Sequence, residues 1–501
     1  MTKSSPLIIF FAVLLTVGVM ILMDISFLQA NRSDIFIDNF KAGPNVRADD
    51  KLKEVVKRVL SDRSQKTGSP ELKIIHPFDN AVFPRDIASL QFIWQDSHPD
   101  STLWLLAMDL PGGGPNIYVV GDRQDWLPEK SDWEVIKRYT WEAPAVINIW
   151  GLNGNAGFNI NTQKRVTIST AKDEVKDSLL FVQSPLPAAF AKDNPEKIKW
   201  RLAHLSSYDR PKTVLEGVDT CGNCHKLPSE FRFGTGLKPF GRFPMTSPNG
   251  EYEVASVKVK SLTAFLEDIT ISEFVYHATG IIGFYTQKDN DFHPLPGADN
   301  PDYVHTHPAW SPDGEHIVFA RARVNHQVYD MWMDEVSVKV DAHTRIADLN
   351  AKFPIQYDIY RVPFNNGKGG RAEPVKGASH NGMSNSFPRY SPDGKWIVFT
   401  LSKTGFVLQP SSRLFIVPSV GGKAREMNCN TDFYNSYHNW SSNSRWLIFT
   451  SKINTPYTEL FLTHVDENGV DAPPVLLTRL NTDGLAAVVP EFIRDSPKIP
   501  D

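Results

Sequence analysis

Four stretches in the second half of this chain repeat one pattern: residues 245–258 (MTSPNGEYEVASVK), 309–322 (AWSPDGEHIVFARA), 389–402 (RYSPDGKWIVFTLS) and 439–452 (NWSSNSRWLIFTSK). Each runs from an apolar or aromatic residue through a Ser-Pro-Asp-Gly-like turn into an alternating strand. Two continue into a second strand pair closed by a glycine turn, at 357–375 (YDIYRVPFNNGKGGRAEPV) and 412–428 (SRLFIVPSVGGKAREMN). Four antiparallel strands in succession make one blade, and blades stacked radially leave no long exposed edge. The pattern therefore predicts a β-propeller over residues 241–501. The turn serines stand at 247, 311, 391 and 441, so the first two intervals exceed a usual blade and carry insertions. The larger insertion lies between Ala322 and Tyr357. Ring closure requires the last strand to pair with an early one. VVPEF (488–492) is expected beside SLLFVQS (178–184), and six blades are expected, with seven the next choice.

The rest of the chain divides by composition. Residues 1–30 contain PLIIFFAVLLTVGVMILM (6–23), eighteen residues without a charge, long enough for a short membrane span. A cleaved signal peptide is the competing reading, although LQA before Asn31 is a poor cleavage site. Lys3 lies on the N-terminal side, which directs the body of the chain across the membrane. Either reading exports residues 31–501. Residues 31–70 read as a spacer holding an amphipathic helix, with Leu52, Val55, Val56, Val59 and Leu60 on one face behind Asp49 and Asp50. Its apolar face packs on its own domain or against a membrane surface or partner. Residues 71–170 read as a β-sandwich of short strands, among them LQFIWQ, TLWLLAMDL, WEVIKRY and AVINIWGL, separated by turns such as PGGGPN. The fold class is thus all-β, behind an N-terminal membrane helix.

Residues 171–240 lead into the propeller and carry CGNCHKLPSEFRFG (221–234), which holds two of the three cysteines in 501 residues. Structural zinc would need four ligands, and no second cysteine pair exists to supply them. A redox dithiol would need a strand before it and a helix under the first cysteine, where this segment is Pro-rich and polar. Covalent haem suits the spacing: thioethers at Cys221 and Cys224 hold the porphyrin, and His225 is the proximal iron ligand. One haem c is expected. Cys429 is then left over, as a small buried residue. The sixth iron position is open between a histidine or methionine and no protein ligand. Candidates are the residues just before the repeated turns: His305, His307, His438, Met245 and Met383. Lys226 and Arg232 stand close enough in sequence to meet haem propionates, or face solvent.

In these residues the chain resembles TolB-type propellers, whose blades carry the Ser-Pro-Asp-Gly turn. It resembles more closely exported bacterial propeller cytochromes with a Cys-x-x-Cys-His site ahead of the blades, which are distantly similar to the α-subunit of hydrazine synthase. The resembling stretches are IKWRL (198–202), FHPLPGADNPDYVHTHPAWSPDG (292–314), YDIYRVPFNNGKGGRAEPV, NTPYTELFLTHVDENG (454–469) and VVPEF. HPFDNAVFP (76–84) resembles the start of fibronectin-type or immunoglobulin-like modules. The resemblance implies an immunoglobulin- or fibronectin-like sandwich followed by a TolB-like propeller. The departure is KLPSEFRFG after His225, where relatives often run into another repeat turn.

No Gly-x-Ser-x-Gly elbow, phosphate-binding glycine loop or His-Glu-x-x-His is present, and Asp330/Asp334 and Asp466/Glu467 read as solvated turns. A net charge of −4 gives no case for nucleic-acid binding. Three functions remain. The leading one is a membrane-anchored periplasmic monohaem cytochrome that passes electrons to a redox partner or a multi-subunit complex. The alternatives are a TolB-like binding or assembly scaffold with structural or sensory haem, and a haem enzyme with an open iron acting on a small nitrogen or oxygen species.

Overall fold

The computed structural model describes residues 40–42, 50–61, 68–155, 157–217, 241–265, 269–270, 273–286, 288, 291–325, 337–340, 345–406 and 409–493. The apolar run at 6–23, the motif residues Cys221, Cys224 and His225, Lys226, Arg232 and the Asp330/Asp334 pair lie outside the described residues. Among the described residues no helix is long and apolar enough to cross a membrane. The chain forms two compact units, residues 1–79 with 92–170, and residues 80–91 with 171–501.

The first unit begins with β1 (Phe40–Ala42), α1 (Asp50–Ser61) and β2 (Leu72–His76); β3 (Ala81–Phe83) lies on the 80–91 excursion that belongs to the second unit. It continues with β4 (Phe92–Asp96), β5 (Leu103–Asp109), β6 (Ile117–Gly121), β7 (Asp125–Trp126), α2 (Lys130–Tyr139), β8 (Ala145–Asn153) and β9 (Asn159–Thr170). One sheet runs β1-β6-β5-β8-β9 and a second runs β2-β4-β7. The buried Asp96 ties them together: its Oδ2 accepts from Trp104 Nε1 on β5 (3.0 Å) and Thr162 Oγ1 on β9 (2.6 Å). Gly151 is required beside it, since a Cβ there would stand 2.2 Å from that oxygen. The α1 helix buries Leu52, Val55, Val56 and Val59 against Leu105, Ala107, Tyr118, Val120 and Leu152, so its apolar face is spent on its own unit. WEVIKRY is a correction: it forms α2, not a strand. Trp133 and Ile136 fall three apart on the buried side, Asp132 sits in the first turn, and Lys137 and Arg138 sit in the last. That arrangement satisfies a helix dipole and a 3.6-residue period.

Among the described residues the second unit contains five four-stranded antiparallel sheets. Its early part supplies β10 (Ser178–Ser184), α3 (Ala188–Asp193), β11 (Lys199–His204) and β12 (Lys212–Glu216). Blade 1 holds β13 (Arg242–Thr246) and β14 (Tyr252–Val257); β15 (Ser261–Phe265) and β16 (Glu273–His277) interrupt it before β17 (Ile281–Thr286) and β18 (Asp291–Pro294). Blade 2 is β19 (Tyr303–Trp310) and β20 (His316–Arg323), then, after β21 (Ser337–Val340) and α4 (Ile346–Lys352), β22 (Asp358–Pro363) and β23 (Glu373–Pro374). Blade 3 is β24 (Ser384–Tyr390), β25 (Trp396–Ser402), β26 (Arg413–Pro418) and β27 (Arg425–Glu426). Blade 4 is β28 (Asn435–Trp440), β29 (Trp446–Ser451), β30 (Glu459–His464) and β31 (Val475–Leu476). The closing blade runs β12-β11-β10-β32, with β32 (Ala486–Ile493) innermost. Val488 pairs with Val182 and Phe492 with Leu179, which is the closure expected between VVPEF and SLLFVQS. Five blades are described where six were expected. The sixth counted the cysteine segment as a blade start, and that segment lies outside the described residues.

The repeated turn explains itself chemically. In each repeat the serine hydroxyl donates to the Asp or Asn two residues on, at 2.5–2.7 Å for Ser311, Ser391, Ser247 and Ser441. The same hydroxyl accepts the backbone N–H five residues on, at 2.9–3.0 Å. The fourth residue is left-handed, at φ 74° for Gly314 and 73° for Gly394, where glycine costs least. Ser444 takes that role in the fourth repeat at φ 61°.

These turns all lie at one mouth of the channel, because the inner strands run toward them. The connections between blades, and those between second and third strands, therefore lie at the opposite mouth. Both insertions emerge there and unite: β15 pairs antiparallel with β16 and parallel with β21. The hairpin from blade 1 reaches blade 4, where Lys452 Nζ donates to Thr270 O at 2.9 Å. Gly217 and Gly241, which flank the cysteine segment, end β12 and begin β13 at this same mouth.

Candidate functional site

The channel is built by a bulge repeated in every inner strand. The ladder slips between Arg242 and Met245, Thr306 and Ala309, Ser386 and Arg389, and Ser436 and Asn439, and again opposite Leu180/Val182 in the closing blade. At each slip one residue adopts a left-handed backbone: Phe243 (φ 54°), His307 (53°), Phe387 (50°), Tyr437 (47°) and Val489 (49°). The next residue is Pro244, Pro308, Pro388, His438 or Pro490. A proline has no N–H to give to a ladder, so it is tolerated where the bulge breaks pairing. The backbone strain is held by the surrounding sheet, and its effect is to re-aim side chains at the axis.

Three of these residues plug the channel. His307 stacks on Phe387 at 3.9 Å and meets Phe243 edge-on at 4.6 Å, while Phe243 and Phe387 stand 5.6 Å apart. Neither ring nitrogen of His307 has a hydrogen-bond partner among the described residues. Burial, and then the Arg389 charge, lower its pKa to about 3, so the imidazole is neutral. His277, on the cap hairpin, stands 5.6 Å from it. Its Nδ1 bonds Thr306 Oγ1 at 2.5 Å, and its carbonyl accepts from Tyr357 Oη at 2.6 Å. Burial, His307 and Arg242 hold its pKa well below the usual histidine value.

The other candidates occupy different surroundings. His305 faces the neighbouring blade, with Nδ1 3.4 Å from Gly280 O and its ring against Phe319. Burial lowers its pKa to about 4 despite that bond. His438 bonds Val398 O through Nε2 at 3.1 Å. Met245 Sδ accepts from Arg389 Nη1 at 2.9 Å, and the residue packs against the cores of blades 1 to 3. Met383 is half-buried in the connection before β24, with its N–H on Asn381 Oδ1. The structure thus gathers His307 and His277 at the plug and leaves His305, Met245 and Met383 apart from it. His277 was missed because no repeated turn follows it. The Phe-Pro, His-Pro, Phe-Pro and Val-Pro pairs are the sequence signal that marks the bulges.

On the turn side of the plug lies a cavity of about 570 Å³, counting its open mouth, lined by Phe243, Phe387, Arg389, Tyr437, His438 and Glu491 among others. Burial raises the Glu491 pKa, against the Arg389 charge, which lowers it. Among the described residues no cluster of three or more His, Cys, Asp or Glu side chains is placed to hold a metal ion.

No family model matches this chain, and no curated protein matches it. Solved structures similar to it include TolB from Acinetobacter baumannii, at 11% identity over 70% of this chain and 79% of that one, with a TM-score of 0.35. A TolB-type structure from Agrobacterium tumefaciens is 14% identical over 63% of this chain and 98% of its own, with a TM-score of 0.30. Oligogalacturonate lyase in complex with manganese is 12% identical over 59% and 66%, with a TM-score of 0.29. At these scores the likenesses assign nothing to this chain; the propeller stands on its own strand order.

Proposed function

We propose that this chain is an exported monohaem c-type cytochrome whose propeller docks a redox partner. Cys221 and Cys224 would hold the haem covalently, with His225 as proximal ligand, and the apolar segment 6–23 would deliver the chain to the periplasmic face of a membrane. When bound, the haem supplies a one-electron redox centre, which makes a partner protein obligatory. The observation that carries the reading is the Cys-x-x-Cys-His spacing on a connection whose flanks, Gly217 and Gly241, lie at the channel mouth opposite the turns.

Fit to the group is supported inside the channel. His307 offers a neutral imidazole with two buried, unpartnered nitrogens, a costly arrangement unless something is bound. Of the three histidines among the distal candidates, it is the one with both ring nitrogens unpartnered among the described residues. Phe243 and Phe387 hold its ring in place and exclude water. Lys452, by fastening the cap hairpin to blade 4, helps keep the mouth covered.

The test is direct. The Cys221→Ala/Cys224→Ala chain should be exported and lack haem on a stained denaturing gel; covalent haem in that variant overturns the reading. In the parent, the reduced spectrum should be unmoved by carbon monoxide if His307 is a ligand, and His307→Ala should make it responsive.

A further inference from the structure

Blade 2 holds one arginine by the faces of its guanidinium and leaves the edge free. Arg321, half-buried on β20, lies between two tyrosine rings, with Cζ 4.4 Å from the Tyr303 centroid and 3.4 Å from the Tyr360 centroid. We propose that Arg321 and Arg323 form a binding site for a phosphate group, inorganic or carried as a monoester, at the mouth opposite the repeated turns.

The site follows from strand register. Arg321 pairs with His305 on β19 and with Asp358 on β22, so a residue with acceptor atoms stands on either side of it. It bonds neither. Asp358 gives both carboxylate oxygens to His380: Oδ1 accepts from the His380 backbone N–H at 2.7 Å, and Oδ2 lies 3.1 Å from His380 Nδ1. His305 Nε2 has no hydrogen-bond partner among the described residues. The guanidinium of Arg321 meets the two rings and makes no hydrogen bond or ion pair among the described residues. Stacking on aromatic faces fixes the plane of a guanidinium, and the N–H fork lies in that plane. The clamp is itself anchored, because Tyr360 belongs to the core that blade 2 shares with Ile282 and Phe284 of blade 1.

A second cation sets the charge of the ligand. Arg323, exposed and two residues further along the same strand face, brings its Cζ to 5.1 Å from the same Tyr303 ring. With Asp358 engaged by His380, two guanidiniums beside one ring suit a dianion. A phosphate monoester carries about −1.5 to −2 charge and three acceptor oxygens on one phosphorus, so a single group meets both forks. Planar, bidentate recognition of phosphate is a property of arginine that lysine lacks. A monocarboxylate brings one charge and two oxygens, and a dicarboxylate spreads its charges over separate carbons. Because the tyrosines hold Arg321 before a ligand arrives, little side-chain freedom is lost on binding. The site uses no plug residue and no residue assigned to haem, so it goes beyond the cytochrome reading and does not depend on it.

The experiment is calorimetric titration of the full chain with inorganic phosphate and methyl phosphate at constant ionic strength, with acetate and malonate as controls. At least one phosphate probe should bind with a Kd of about 1 mM or tighter, and both controls should bind at least about tenfold more weakly. Binding of methyl phosphate assigns the site to monoesters, and binding of inorganic phosphate alone assigns it to the free anion. Arg321→Lys keeps the charge and the contact with the rings but loses the fork. That chain should keep its melting temperature in phosphate-free buffer and bind phosphate about tenfold or more weakly than the parent. Arg323→Gln, at an exposed position, should weaken binding by about threefold or more and tests the site without touching the clamp. Failure of both phosphate probes to bind the parent at about ten times that Kd overturns the proposal. So does malonate binding as tight as phosphate, or an undiminished phosphate affinity in either variant.

Discussion

Acidification should unfold the propeller through its buried imidazoles. His305, His307 and His438 have pKa values lowered to about 4, 3 and 3, chiefly by burial. In the unfolded chain each returns to about 6.5. Below that value the unfolded state binds protons that the folded state refuses, so stability is full above pH ~6.5 and falls as pH drops toward the folded values. At about pH 5 each imidazole costs about 2 kcal/mol, from 1.36 kcal/mol per unit over ~1.5 units. Three give about 6 kcal/mol, and His277 moves in the same direction. Two carboxyls oppose this. Glu459 is raised to about 6 and Glu491 is raised, both by burial, so acid relieves them, offsetting about 1 kcal/mol for Glu459. The net loss of about 4–5 kcal/mol is a large share of a typical domain's stability. Urea unfolding followed by tryptophan fluorescence at about pH 7.5, 6.5 and 5 reads it out. In the haem-free Cys221→Ala/Cys224→Ala chain, His307→Phe should lose about 2 kcal/mol of the acid sensitivity without weakening the fold at neutral pH, because no hydrogen bond to His307 is lost. A urea midpoint that is flat across this range, or a His307→Phe chain as acid-sensitive as the parent, would refute the reasoning.

Three further outcomes are expected. Deleting residues 486–501 removes the inner strand of the closing blade and leaves β10 unpaired on one edge; the chain should become insoluble, and a soluble chain with an unchanged melting temperature would count against this closure. Gly297→Ala should destabilise by about 2–4 kcal/mol in chemical denaturation, since φ is +92° and a Cβ would stand 1.9 Å from Gly370 O. Asp96→Ala should cost about 2–4 kcal/mol by the same measurement, because Trp104 Nε1 and Thr162 Oγ1 lose their buried acceptor.

The propeller was legible because its defining turn is local. Ser311, Asp313, Gly314 and His316 close their hydrogen bonds within six residues, so residue type alone reports the geometry. Ring closure was legible for a topological reason: a propeller must pair its ends, and VVPEF and SLLFVQS were the apolar strands available. WEVIKRY misled because its run of alternating apolar and charged residues fits a strand, while Trp133 and Ile136 also fit a helix, and packing in the first unit chose the helix. The count of six blades rested on the cysteine segment, which carries no repeat turn.

What the sequence determined by itself is what needs only neighbours along the chain: a turn motif four times over, prolines where the inner strands bulge, and a Cys-x-x-Cys-His spacing. What only the tertiary structure decided is which distant side chains share a desolvated space. Arg389 and Glu491 come from the inner strands of different blades and meet only because the ring closes. His277 reaches His307 only because an insertion folds back over the channel. Burial then sets the imidazoles neutral and the carboxyl reluctant to ionise, and burial is a property of the whole packed ring, which no short stretch of residues encodes.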